Sequence, residues 1–253
     1  MKHFLILLFV LLLTPFSLFA QDEEEQESVM YESVMLTPDL SSLEQLQEAM
    51  QEHNRTFHNT APHSAFVFNI TSGPDAGKLT LVMGPMSSFS DLDNRPSSDE
   101  HNDHWINVVL PLIEDVGTVE YWTMDQELSN PIEGNYSMHF MRINTISRDY
   151  LFLIQGALEK ISETVKAMEG DNPWILWWNA FQQGDLGRHF VVDWPMNSWG
   201  ELDENNEFRS TFEEVHGKQA WDDWNSIMDL AVEDTYDEVW ELNPAMSADL
   251  PQE

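Results

Sequence analysis

The sequence contains an internal repeat. Residues 75–93 and 185–203 lie 110 positions apart and share eight identical residues, including a Pro-Met dipeptide. Because an α/β unit leaves one sheet face uncovered, a second copy in the same chain is the natural partner for that face. We therefore expect two tandem units, at 28–130 and 131–243.

Both copies have the same order of predicted elements. Runs of β-branched and aromatic residues predict strands, and apolar residues at helical spacing predict helices. Ser41 and Glu44 have the spacing of a capping box, while Pro111 and Gly217 should interrupt the second helix of each copy. The predicted strands are 29–36, 65–70, 79–83 and 119–124, then 138–145, 174–181, 189–194 and 237–242; the helices begin at 41, 99, 151 and 204.

The order β-α-β-β-α-β is that of a ferredoxin-like unit, so the predicted class is α+β. Over residues 28–243 the chain resembles the dimeric α/β-barrel superfamily in a single-chain form. It is also similar to a group of uncharacterised exported bacterial proteins, through the hairpin at 73–78 and the turn at 91–96. The superfamily resemblance implies cofactor-free or haem-dependent oxygenases, peroxidases, or plain binding and stress proteins. Fold alone does not choose among these functions.

The N-terminus has the pattern of a signal peptide. Lys2 precedes an apolar run, and Ala20 offers a small residue for cleavage, so residues 1–20 are predicted to be removed. The alternative is an uncleaved anchor, although this segment is short for a bilayer. We expect an exported, periplasmic or secreted bacterial protein, with an acidic linker at 21–27 and a disordered tail at 244–253.

The formal net charge of the chain is −34. Phosphate backbones and anionic lipids repel such a surface, so we expect no nucleic-acid partner and no membrane insertion after cleavage. The chain contains 14 Phe, 13 Met and 10 Trp residues, which is enough for a packed core and excludes a disordered acidic chain. Because the repeat supplies its own partner, we expect a monomer.

Strand alternation predicts which side chains line the cleft between the copies. We assign Phe66, Phe68 and Ile70 to the helix side of their strand, and the second copy is expected to supply most polar groups of the cleft. The proposed catalytic residues are His189 as base, Asp193 to orient it, and Asn179 and Arg142 for an oxyanion. The proposed ligand-binding residues are Asn69, Trp177, Trp240, Trp122, Glu238 and Glu120.

A second group of polar residues includes Asp91, Asp93, His101 and His104, with three further histidines nearby. Carboxylates and imidazoles can bind zinc. However, the acidic pair recurs as Glu201 and Asp203 without histidines. Turn formation and helix capping therefore account for it better, and we assign no metal.

The predicted cleft residues favour an exported protein that binds a small, largely apolar or aromatic molecule. If the protein is an enzyme, we expect cofactor-free oxygenase or isomerase-like chemistry. The alternative is an interaction or stress protein whose barrel is filled by Trp177, Phe181, Met83 and Trp240. No cofactor is favoured. A divalent metal and haem both rank lower, and haem does so because no histidine lies in a motif that marks an axial ligand.

Overall fold

The computed structural model describes residues 28–204 and 207–249. The predicted signal peptide and acidic linker lie outside these residues. Within them, none of the helices combines the length and apolarity needed to cross a membrane.

Each half of the chain forms a four-stranded antiparallel sheet with helices on one face. The first half contains β1 (Met30–Pro38), α1 (Leu43–Phe57), β2 (Ser64–Ser72), β3 (Leu79–Met86), α2 (Asp99–His104) and β4 (Ile113–Met124). The second contains β5 (Met138–Ile146), α3 (Leu151–Ala167), β6 (Ile175–Asn179), β7 (Phe190–Met196), α4 (Phe208–His216), α5 (Lys218–Ala231) and β8 (Val232–Leu242). The predicted βαββαβ order is present twice.

Local sequence explains where several helices begin and end. The predicted capping box at Ser41 is not formed; instead the carboxylate of Asp39 accepts the backbone N–H of Ser41 at 2.9 Å. Gly217 separates α4 from α5, and its φ of 88° is accessible to glycine at little cost. Beyond α2 the chain continues in a π-helical turn and then a 3-10 turn. The helical segment ends after Pro111, which has no backbone N–H to donate.

The two sheets join into one closed barrel with the order β1-β3-β2-β8-β5-β7-β6-β4. Strand β2 pairs with β8 and β4 pairs with β6, so both seams connect the first half to the second. The predicted α+β barrel within one chain is therefore confirmed. Closure leaves neither sheet with an unpaired edge of full length.

A β-bulge distinguishes the two halves. In the β1–β3 ladder, Met30 lies opposite Met86, whereas Glu32 lies opposite Met83. The β5–β7 ladder runs without such a shift. Strand β3 therefore has one extra residue opposite β1, which β7 lacks opposite β5, and this reverses the facing of every side chain on the far side of the bulge.

This bulge overturns part of the predicted facing. Val82 and Val192 match in the sequence repeat, yet Val82 packs inside the barrel and Val192 packs under the helices. Leu79 and Leu81 of the same strand pack against α1. Asn69 is likewise on the outer face, where its side-chain oxygen accepts from Asn243 at 3.2 Å.

The C-terminal segment is ordered as far as the structure describes it, contrary to the predicted disordered tail. The hydroxyl of Ser247 accepts the N–H of Val67 at 2.9 Å, and the N–H of Ala248 bonds to the carbonyl of Ala65 at 2.8 Å. Met246 is buried in the core beneath α1. The segment thus covers the part of β2 that β8 leaves unpaired.

Candidate functional site

A cavity of about 360 Å³ lies inside the barrel, between the two sheets. Its wall is largely aromatic and aliphatic, with a few polar groups. This is the usual composition of a small-molecule site, whose volume ranges from about 300 to 1,000 Å³. The lining residues are Val29, Tyr31, Ser33, Phe66, Phe68, Val82, Trp122, Met124, His139, Met141, Ile175, Trp177, Arg188, Val191, Asp193 and Trp240.

The buried carboxylate of Asp193 and the partly buried ring of His139 form an acid–base pair in the cavity wall. The Nδ1 of His139 lies 2.9 Å from Oδ1 of Asp193, and Trp177 Nε1 approaches the other oxygen at 3.4 Å. Burial alone would lower the pKa of His139, but the Asp193 carboxylate outweighs it and the net direction is upward. The ring also contacts Phe68 edge-on at 5.5 Å. Bonding at Nδ1 leaves Nε2 available to a ligand.

A second polar network crosses the seam between β4 and β6. Arg188 Nε and Nη2 contact the two carboxylate oxygens of Glu120 at 3.0 and 2.9 Å. Its Nη1 donates to the Tyr236 hydroxyl at 2.9 Å, and Asn179 donates to Glu120 at 3.2 Å. Burial raises the pKa of Glu120, and Arg188 partly offsets that effect. The network holds a cation at the cavity with its charge already balanced.

Glu238 is fully buried beside this network. One oxygen accepts the Trp240 indole N–H at 2.8 Å, and Oε1 has no hydrogen-bond partner among the described residues. Burial raises the pKa of Glu238 to about 7. The hydrogen bond from Trp240 acts in the opposite direction, and the nearby Asp75 carboxylate adds to the rise. A carboxyl that is partly protonated at neutral pH can donate as well as accept a hydrogen bond.

The cavity includes some of the predicted site residues. Asp193, Trp177, Trp122 and Trp240 line it. The predicted residues Asn179, Glu120 and Glu238 belong to the buried networks just described. Phe66 and Phe68, predicted to lie under the helices, also line the cavity, and Ile70 packs inside the barrel.

His189 and Arg142 are not part of the cavity, which corrects the predicted catalytic group. The Nδ1 of His189 accepts the N–H of Ile146 at 2.8 Å, and partial burial, then Arg148, lowers its pKa. Arg142 lies on the outer face of β5, where it forms a bidentate pair with Asp237 at 2.8 and 2.9 Å. Strand β5 has apolar residues on both faces, so alternation alone could not choose between them.

His139 and Arg188 were missed for different reasons. His139 shares its face with Met141, the face of β5 that was assigned away from the cleft. Arg188 occupies a hairpin and has a φ of 49°, a left-handed conformation that aims its side chain back into the barrel. A basic residue beside Gly187 was the only available signal in the sequence.

Asp91 and Glu201, one residue of each acidic pair, act as caps within their turns, as predicted. Asp91 Oδ2 accepts the N–H groups of Ser87 and Ser88 at 2.8 and 3.2 Å. Glu201 accepts the N–H of Asn197 at 3.0 Å in the second copy. These contacts use the carboxylates within their own turns.

The residues of the barrel cavity do not fit haem. Arg188 is the only permanent cation among the described lining residues, and its charge is matched by Glu120. Two propionates would therefore enter a site that also contains Asp193, with no unpaired cation to balance them. A second cavity of about 310 Å³ lies between the second sheet and α3–α5, and the described residues that line it include no histidine.

No family model matches the sequence, and no curated protein matches it. Several solved structures match the fold. An anthrone oxidase-like protein has a TM-score of 0.55 at 11% identity, covering 87% of this chain and 92% of its own. A protein from Fusobacterium nucleatum that is named for a monooxygenase activity has a TM-score of 0.54 at 9% identity. The match covers 86% of this chain and 93% of the other.

A variant of chlorite dismutase from Candidatus Nitrospira defluvii has a TM-score of 0.52 at 7% identity, covering 86% of this chain and 92% of its own. At such identities the likeness establishes the fold and not the activity. It agrees with the closed order of strands and the two seams. The chain therefore has the dimeric α/β-barrel fold, with both halves in one polypeptide.

Proposed function

We propose that this chain binds a small, largely aromatic molecule inside the barrel and acts on it by cofactor-free acid–base chemistry, as an oxygenase or isomerase-like enzyme. The observation that carries the proposal is the apolar cavity into which the His139–Asp193 pair projects. We further propose that the protein works as an exported monomer, because residues 1–20 have the pattern of a signal peptide and the barrel is closed by its own two halves.

The arrangement supports proton removal from a bound ligand. His139 Nε2 can accept a proton from an acidic C–H or O–H group, and Asp193 at Nδ1 stabilises the imidazolium that results. Trp122, Trp177 and Trp240 provide flat apolar surfaces for an aromatic carbanion or phenolate. The raised pKa of His139 suits it to retain the proton until the product forms.

The name of the anthrone oxidase-like neighbour suggests a concrete probe, a tricyclic aromatic ketone with an acidic methylene. Removal of one proton gives a delocalised carbanion that O₂ can oxidise. The carbanion and O₂ combine to a peroxide, which takes up the proton from His139 and then loses water to leave a second ketone. One methylene and one O₂ thus become one carbonyl and one water, with no external reductant.

The size of the cavity argues against the alternative of a self-filled barrel. Trp177 and Trp240 line the cavity without filling it, and Phe181, a predicted filler, is 51% exposed. Met83 pairs with Ala65 on the helix side. An interaction protein with a solid core would not need buried charged pairs beside an open apolar volume.

Binding is tested with anthrone and tryptophan fluorescence. The wild-type protein should show saturable quenching, and Val191→Phe, which fills the cavity, should abolish it. Val215→Phe is the matched control, because Val215 is 44% exposed outside the barrel. Equal quenching in both variants, or none in the wild-type protein, would overturn the proposed binding site.

Turnover is tested by O₂ consumption with the same probe. We expect His139→Gln to retain binding but lose roughly 100-fold or more in rate, the usual contribution of a general base. His189→Gln should retain the rate, because His189 is bonded to the backbone outside the cavity. Binding without turnover in the wild-type protein would leave a binding protein and refute the enzymatic part.

A further inference from the structure

Four histidines lie together between α1 and α2, on the outer side of the first sheet. His58 Nε2 is 3.0 Å from His101 Nε2, and His53 Nδ1 is 3.3 Å from His104 Nδ1. The ring of His53 is central, with its centroid between 4.8 and 5.3 Å from those of the other three. Ligand atoms of His53, His58 and His101 all lie within 4.8 Å of one another.

The hydrogen bonds around His58 and His101 fix which nitrogen carries the proton. His58 Nδ1 lies 3.2 Å from the carbonyl oxygen of His63, which can only accept, so Nδ1 must donate. His101 Nδ1 lies 3.1 Å from the Asn102 side-chain oxygen, and the amide nitrogen of that residue bonds to Ser97. In the neutral rings both Nε2 atoms are therefore bare acceptors.

Two bare nitrogens that face each other at 3.0 Å repel unless a positive species lies between them. A metal ion bound to both would relieve this repulsion. Two zinc–nitrogen bonds of about 2.1 Å at a tetrahedral angle place the nitrogens roughly 3.4 Å apart. The distances of 3.0 and 3.3 Å in the cluster are within a few tenths of an ångström of that spacing.

His104 lies beside these three residues and contacts His53. Its Nε2 lies 3.6 Å from a carboxylate oxygen of Glu52, which favours a proton on Nε2 and leaves Nδ1 free toward His53. A carboxylate or backbone carbonyl on the far nitrogen is the usual outer partner of a metal-binding histidine. Within the cluster, His58 has a carbonyl partner and His104 a carboxylate partner.

The fold does not require histidines at this place. In the second copy the corresponding helix layer is filled by aromatic rings, where Phe212 packs against Trp221 and Trp224 at 5.3 and 5.6 Å. That packing contributes apolar burial, which four imidazoles supply poorly. The histidine cluster is therefore a special feature of the first copy and is not explained by core packing.

We propose that His53, His58 and His101 bind one divalent transition-metal ion, and that His104 supports His53 from the side. An all-imidazole set favours Zn²⁺, Cu²⁺ or Ni²⁺ over the hard ions Mg²⁺ and Ca²⁺, which select oxygen ligands. Three imidazoles leave one tetrahedral position for a water molecule, and the site joins the end of α1 to α2, away from the barrel cavity. The proposal does not depend on the activity assigned to that cavity.

The test uses Co²⁺, whose visible absorption reports a tetrahedral nitrogen site. The full chain is stripped with chelator and titrated with Co²⁺ in excess Mg²⁺, which occupies the many surface carboxylates. We expect one Co²⁺ per chain with a tetrahedral spectrum that Zn²⁺ displaces. His101 is partly exposed, so His101→Gln should still fold. Loss of a hydrogen-bond partner of a ligand lowers metal affinity roughly 10–100-fold, and loss of the ligand His101 should lower the Co²⁺ affinity by more than that.

His58→Gln provides a second variant at a buried ligand, and His216→Gln is the matched control. His216 is a buried histidine of the second copy that bonds to the Lys160 carbonyl at 3.2 Å. Normal Co²⁺ binding by the control, with loss in both ligand variants, supports the site. Binding that survives in both ligand variants, or no Co²⁺ uptake in the presence of Mg²⁺, overturns it and leaves a shared proton between His58 and His101.

Discussion

Replacement of Arg188 by Met removes one partner of the buried ion pair that joins the two halves of the barrel. The side chains of Arg188 and Glu120 are 9% and 6% exposed, so the remaining carboxylate would stay out of water. Breaking a buried pair in this way costs about 3–5 kcal/mol. For a domain of this size that corresponds to a fall in Tm of about 6–20 °C.

The double variant Arg188→Met/Glu120→Leu removes both charges. Because replacement of a buried pair by apolar residues is often neutral or stabilising, we expect it to recover most of the loss, with a coupling free energy of about 3 kcal/mol. Urea unfolding followed by circular dichroism measures all four members of the cycle. A single variant that costs under about 1 kcal/mol, or additive losses in the double variant, would refute the ion-pair reasoning.

The single variant should also change how stability depends on pH. Burial already raises the pKa of Glu120 above 4.5 in the folded state, and loss of Arg188 removes the charge that opposes this rise. The folded state then keeps a proton that the unfolded state releases. Stability of Arg188→Met should therefore fall as pH rises through the folded pKa, so its deficit is smaller at about pH 5 than at about pH 8.

Two further predictions concern His139 and the glycines. Asp193→Asn should lower the pKa of His139, because burial then acts without the carboxylate that opposes it; NMR titration of the imidazole would show this. In the wild-type protein the stability from this pair is present at low pH and is lost as pH rises through the raised pKa of His139. The variant should lose that pH dependence. An unchanged pKa of His139 in the variant would contradict the pairing. Gly187→Ala should destabilise far more than Gly217→Ala: both have positive φ, but a methyl group at Gly187 would lie 2.0 Å from the Thr145 hydroxyl, whereas Gly217 faces open space. Gly217→Ala should cost about 1 kcal/mol, and similar melting temperatures for the two variants would refute this argument.

Local sequence patterns predicted part of the barrel cavity and none of the pairing within the histidine cluster. Strand alternation correctly assigned Asp193 and Trp177 to the interior, because the ladders of β7 with β5 and β6 run without a register shift. It also correctly assigned Trp122 on β4. It failed for Asn69 and Arg142, whose strands have apolar residues on both faces. The pairing of His58 with His101 joins residues 43 positions apart in the chain, which no spacing rule for a single helix covers.

The sequence by itself determined the architecture of this protein. A duplicated segment, helical and strand periodicities, and breakers such as Pro111 and Gly217 act locally, so they define two βαββαβ units and their closure into one barrel. Tertiary structure alone decided which side chains meet inside. A single extra residue in β3 reverses the facing of that strand, and the left-handed conformation of Arg188 aims a hairpin cation at Glu120. Both effects depend on how strands pair across the barrel, and pairing is a property of distant residues that no local pattern contains.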